Sequence, residues 1–158
     1  MSPKIVSRLT SKLFLDTRYQ FWSLQVAGWT GLAFLVYFSL TATSRPTDIA
    51  YVLHPGVQSI IGIFVSWPLR YIFHHTWDMP AAGRLILNAI AVLFAAFVWT
   101  VLRLASFVWM THEDKNFLPE FGGWYFPSIL VFFGWATLYH GIKYFLLQQE
   151  EHEELLRL

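Results

Sequence analysis

The chain contains no cysteine. That excludes disulfides and thiolate metal sites, and it leaves the redox compartment undetermined. Charge is the second shortage. Only 13% of the 158 residues are Asp, Glu, Lys or Arg, against about 25% in an ordinary soluble domain. The basic residues are scattered and mostly flank apolar runs, so there is no nucleic-acid-binding patch. A nucleophile triad, a catalytic carboxylate pair and a phosphate-binding glycine loop are also missing. Gly122-Gly123 is a lone pair ahead of an apolar run, and Glu150, Glu151, Glu153 and Glu154 read as a solvated helix surface. As it stands, the chain is not expected to be an enzyme.

Apolar and aromatic side chains are what the chain has in quantity, at 56% and 19% of residues, and they fall into four runs. A membrane-spanning helix needs ~20 mostly apolar residues. Residues 21–40, 51–73, 85–110 and 121–147 meet that requirement. The first is read as a retained span. Signal-peptide apolar regions usually run ~7–15 residues, and Thr41-Ala42-Thr43 is a poor cleavage site. Pro55 is tolerable in a first helical turn. Pro68 predicts a kink within the second span, and Pro127 and Gly134 mark bends in the fourth. The connections, residues 41–50, 74–84 and 111–120, are short and force antiparallel neighbours. The predicted fold is therefore all-α, a four-span transmembrane up-down bundle over residues 19–147. A soluble apolar bundle would need polar faces at helical spacing, which these spans lack.

Charge gives direction. Lys4, Arg8, Lys12, Arg18, Arg70, Arg84, Lys143 and Arg157 fall on one side of the predicted bundle, with only Arg45 and Lys115 on the other. The positive-inside rule then places both termini in the cytoplasm. Residues 1–18 form a basic segment in which Ile5, Val6, Leu9 and Leu13 share a helical face. That reads as an amphipathic helix on the inner leaflet or as a basic leader that only sets topology. After Ile142 the apolar stretch passes into a charged helix-forming tail without Gly or Pro, and residues 148–158 read as the start of a cytoplasmic signalling helix. Phe145, Gln148, His152 and Leu155 fit an a/d register, but two of the four are polar. The tail is thus too short and too polar to dimerise firmly alone.

Within the spans, few residues carry chemistry. Arg103 lies seven positions before Met110, roughly 10 Å inside the third span at 1.5 Å per residue. It reads as an anion or ligand anchor, as a partner of Glu113, Asp114 or Glu120, or as an arginine snorkelling to the far interface. Trp99 and Phe107, one turn to either side, are placed to stack on its guanidinium. Gln25 shares a helix face with Trp22 and Trp29. That face is either a packing seam with one polar residue as glue or an aromatic-walled pocket for a quinone or lipid. Tyr139, His140 and Lys143 cluster where the last span meets the tail. No cofactor or metal is expected. The alternative is a haem or metal held by histidines, with His54 and His112 at one depth and His74 and His140 at the other. A small transporter or channel subunit is a third reading, but beyond Arg103, Gln25 and Asn88 there is little to build a polar path from.

Three stretches resemble a known family. They are Phe21-Trp22-Ser23-Leu24-Gln25-Val26-Ala27-Gly28-Trp29, Pro68-Leu69-Arg70-Tyr71, and Trp135-Ala136-Thr137-Leu138-Tyr139-His140-Gly141-Ile142-Lys143-Tyr144 leading into the charged tail. Together they resemble the membrane sensor region of LytS/AlgZ-type bacterial sensor histidine kinases. The resemblance covers the chain from about residue 20. It implies a homodimeric input domain in the bacterial inner membrane, a kinase core following the last helix and a LytTR-type response regulator as partner. Tyr139, His140 and Lys143, placed where the span becomes the tail, read as interface anchors or as residues that stabilise one rotational state of the tail; with Arg70 and Trp135 they are the candidates for signal coupling. The family's Pro-His-Phe phosphoacceptor motif and ATP-binding segment are not in this sequence, so autophosphorylation is not expected of it.

Overall fold

A computed structural model describes Lys4, Arg8 and residues 18–44, 48–114 and 116–158. Most of the amphipathic segment at residues 1–18 lies outside the described residues, as do Arg45 and Lys115. The described chain is all helix. Helix α1, Arg18–Val36, runs on through a π-helical turn at Tyr37–Thr41 and a last turn at Ala42–Ser44. Helices α2, Ile49–Thr76, α3, Ala81–Thr111, and α4, Phe117–Arg157, follow. Consecutive helices pack side by side and the chain goes up and down, so Arg18 and the last residues of α4 lie at one end, called here the terminal end. All four helices are long and apolar enough to cross a membrane.

Each helix runs past its predicted apolar run at both ends, α4 furthest. Hydropathy ends where the solvent changes, whereas a helix ends only where the backbone is interrupted. Asp48 caps α2 by accepting a hydrogen bond from the Ala50 N–H at 3.0 Å. His112 ends α3 in the left-handed conformation, φ 54°. Pro55 and Pro68 lie inside α2 and Pro127 inside α4. The kink expected at Pro68 does not divide the helix.

The surface is apolar where a soluble bundle would be polar. Phe34, Ile60, Phe64, Phe94, Phe126 and Leu130 are exposed. The α2 residues turned inward include Gln58, Ser59, Gly62, Ser66 and Arg70. Lipid solvates the large side chains, and small or polar residues let helices approach and bond to one another. One close approach is specific. A Cβ on Gly62 would overlap the ring carbons of Trp29, so glycine is what admits this indole between α1 and α2. Gly62→Ala is expected to lower stability by ~1–3 kcal/mol through overpacking. Thermal unfolding in detergent reads this, and an unchanged midpoint would mean that the seam is not closed around Trp29.

Candidate functional site

The middle of the bundle is a polar knot in an aromatic shell. Gln25 is completely buried. Its carbonyl accepts hydrogen bonds from the Trp135 indole N–H at 2.8 Å and the Trp29 indole N–H at 3.1 Å. Its amide nitrogen donates to the Ser66 hydroxyl at 2.9 Å, and that hydroxyl donates to the Gly62 carbonyl at 2.7 Å. One side chain of α1 thus joins α2 and α4. Of the three residues expected on this face, Trp22 stands apart. It is only half-buried and packs edge-on against Trp67, 5.1 Å between centroids. The geometry of Gln25 is that of glue in a packing seam, not of a pocket wall.

A cavity does exist, at the end of the bundle opposite the terminal end. It has a volume of 720 Å³ and lies in the seam between α1 and α4, floored by α2 and α3. Leu32, Val36 and Leu40 form its α1 side, and Trp124, Pro127 and Val131 its α4 side. The π-helical turn of α1 begins beside it, and such turns are frequent at functional sites. Arg103 and Gln58 supply its polarity together with His54.

Arg103 is turned into the protein. Its guanidinium lies 4.4 Å from the Trp99 ring and 4.8 Å from the Trp124 ring. Nη2 donates to the Trp124 carbonyl at 2.6 Å and to the Ser128 hydroxyl at 3.1 Å, and Thr100 donates to Ser128 at 2.7 Å. The second stacking ring is therefore Trp124, not Phe107. Phe107 packs instead on His54, at 5.1 Å, and on Trp124 itself, at 5.2 Å. Among the described residues no carboxylate pairs with Arg103; Glu113 accepts from the Tyr51 hydroxyl. Three polar atoms are unmatched and buried in this part of the bundle: Arg103 Nε and the Gln58 amide nitrogen, both on residues of the cavity wall, and the Ser59 hydroxyl, on a residue outside it.

Four of the five coupling candidates, Arg70, Tyr139, His140 and Lys143, gather at the terminal end, and the fifth, Trp135, joins them to the Gln25 knot. Trp135 and Tyr139 stack with ring planes 8° apart. The Arg70 guanidinium lies 4.8 Å from the Phe21 ring and beside the Tyr139 hydroxyl. Lys143 is buried with Nζ 4.7 Å from the Trp77 ring and no hydrogen-bond partner. His140 donates from Nδ1 to the Ala136 carbonyl at 2.8 Å and accepts at Nε2 from Asn88 at 3.4 Å. A wider groove of 1310 Å³ runs beside this cluster, but Asn88 and His140, two of the polar groups in its wall, are already bonded to each other.

The histidines do not converge. His54 Nε2 bonds to the Arg103 carbonyl at 3.2 Å, while His112 is exposed at the end of α3. His74 is half-buried. Among the described residues no group of three His, Asp or Glu side chains comes together. Ser66, Ser128, Thr100 and Gln58 were not singled out in the sequence. Their only signal there is that each is a polar residue within a span, the type of residue that glues membrane helices.

No family model, no curated protein and no solved structure matches this chain.

Proposed function

We propose that the chain is the membrane-embedded input domain of a bacterial two-component sensor histidine kinase of the LytS/AlgZ type. In this reading it sits in the cytoplasmic membrane as a homodimer, with both termini in the cytoplasm. It relays a stimulus to a kinase core that acts on a LytTR-type response regulator. The charges support the direction: Arg18, Arg70, Arg84, Lys143 and Arg157 lie toward the terminal end, and Asp48, Glu113, Asp114 and Glu120 toward the other.

The observation that carries the reading is the continuity of α4. Over 41 residues without interruption it supplies Trp124 to the cavity, Trp135 to the Gln25 knot, Lys143 to the terminal cluster and then the charged tail. At 1.5 Å per residue such a helix spans roughly 60 Å, about twice the ~30 Å hydrocarbon core. Its far end lines a cavity and its near end reaches water. A change at the cavity that turns or shifts α4 is therefore delivered to the tail. Such a relay needs two packings of the bundle and a stimulus that favours one of them; tight binding alone moves nothing.

Helical phase tests this. A histidine kinase core is fused after Leu158, and one, two or three residues are inserted at Gln148. Each insertion rotates the output by ~100°. Kinase activity is expected to rise and fall with that phase; equal activity across the series would sink the proposal.

A further inference from the structure

We infer that the cavity between α1 and α4 binds a single-chain amphiphile with a carboxylate headgroup, held by Arg103 and Gln58. The inference rests on reading that cavity as the input site, and it adds the chemistry of the ligand.

Beside Tyr51 and His54, which are already hydrogen-bonded, the wall holds two residues with unmatched donors. Arg103 is a donor only, and it carries a full charge that no described carboxylate neutralises. Its Nη2 is committed to Trp124 and Ser128, while Nε and Nη1 make no hydrogen bond. Gln58 is 3% exposed, and its amide nitrogen has no partner. Unmatched donors in a buried setting favour a ligand that only accepts. An uncompensated guanidinium in an apolar surrounding favours an acceptor that is also an anion. A carboxylate meets both conditions, with one oxygen for Arg103 and one for a donor such as the Gln58 amide.

On the α1 and α4 sides the lining is apolar, with Leu32, Val36 and Leu40 on one helix and Pro127 and Val131 on the other, and Leu40 and Pro127 are exposed at the bundle surface. A ligand entering there comes from the bilayer and leaves its chain along that seam. The volume of 720 Å³ is that of a site for one small molecule, typically ~300–1,000 Å³, and a diacyl phospholipid is larger. A long-chain fatty acid has the headgroup, the single chain and the route.

Photolabelling tests the inference without any kinase attached, so its failure would leave the relay proposal standing. The full chain in neutral phosphatidylcholine nanodiscs is labelled with a diazirine-bearing palmitic acid, and the modified peptides are mapped. Labelling is expected on the α1 stretch around Val36 and the α4 stretch around Val131. It should saturate, and it should be competed by palmitate but not by hexadecanol. Arg103→Gln is expected to weaken it about tenfold, the scale of losing a charge-assisted pair. Val36→Trp, which fills the cavity and leaves Arg103 in place, is expected to abolish it while the protein still unfolds cooperatively. Labelling that does not saturate, equal competition by the alcohol, or undiminished labelling of a folded Val36→Trp protein would overturn the inference. So would competition by diacyl phosphatidic acid or a neutral short-chain quinone in preference to palmitate.

Discussion

Replacing Gln25 with leucine is expected to be among the most destabilising single changes in the chain, at about 2–4 kcal/mol, because it strands a buried indole N–H and removes further hydrogen bonds. Trp135 loses its acceptor, since Gln25 is the partner of its N–H at 2.8 Å. Trp29 keeps a second acceptor in Ser66 at 3.3 Å, so it loses less. The loss is a matter of unmatched polarity rather than of packing, which makes a second substitution informative. Trp135→Phe removes the stranded donor, and in the Gln25→Leu background it is expected to recover about 1–2 kcal/mol, because deleting both partners costs less than orphaning one. Thermal unfolding of the two single variants and the double variant closes the cycle. Strict additivity would mean that the knot is not a unit and that α1 is held to α4 by ring contacts alone.

Arg103→Lys is the second large effect, and it separates a held arginine from a snorkelling one. Lysine carries the same charge on a stem of similar reach, so an arginine that only reaches for the interface is replaced at almost no cost. The observed guanidinium lies between two indoles and donates to two oxygens from one nitrogen. An ammonium cannot lie flat between those rings. A loss of about 1–2 kcal/mol is expected, the size of one cation–π contact plus a misaligned charged donor. Tryptophan emission should also shift, because Trp99 and Trp124 lose the cation between them. A neutral result by both measures would restore the snorkelling reading.

The architecture was legible because it depends on little. Four apolar runs with short connections leave few ways to fold, and the resulting bundle places Arg103 and Gln25 in different layers, as their positions along the spans require. The site was legible only by halves. Periodicity places Trp99 one turn from Arg103, and Trp99 does stack on it. The other ring, Trp124, comes from the next helix, twenty-one positions along the chain, as does its carbonyl. Nothing in the local pattern selects it over Phe107. Gln25 meets Trp135 across 110 positions. Ser66 and Ser128 act through small hydroxyls that barely alter hydropathy, so a scale of apolarity passes over them. Pairings between spans are set by rotation of each helix about its axis, and a sequence of uniformly apolar helices carries little information on rotation. Cavities are harder still. The one beside Arg103 exists because α1 follows α2 closely and meets α4 through side chains such as Gln25 and Phe21 rather than along its backbone.

The central claim is that α4 mechanically joins the far cavity to the charged tail. The lack of native cysteine permits a direct measurement. Ala81→Cys at the start of α3 and Gln149→Cys on the tail of α4 give two spin-label sites, both exposed at the terminal end. Pulsed electron–electron double resonance in nanodiscs then compares the inter-label distance distribution with and without Val36→Trp, which fills the cavity from a helix that carries neither label. The account predicts a redistribution between two distance populations when the cavity is filled. Superimposable distributions from two folded proteins would contradict it.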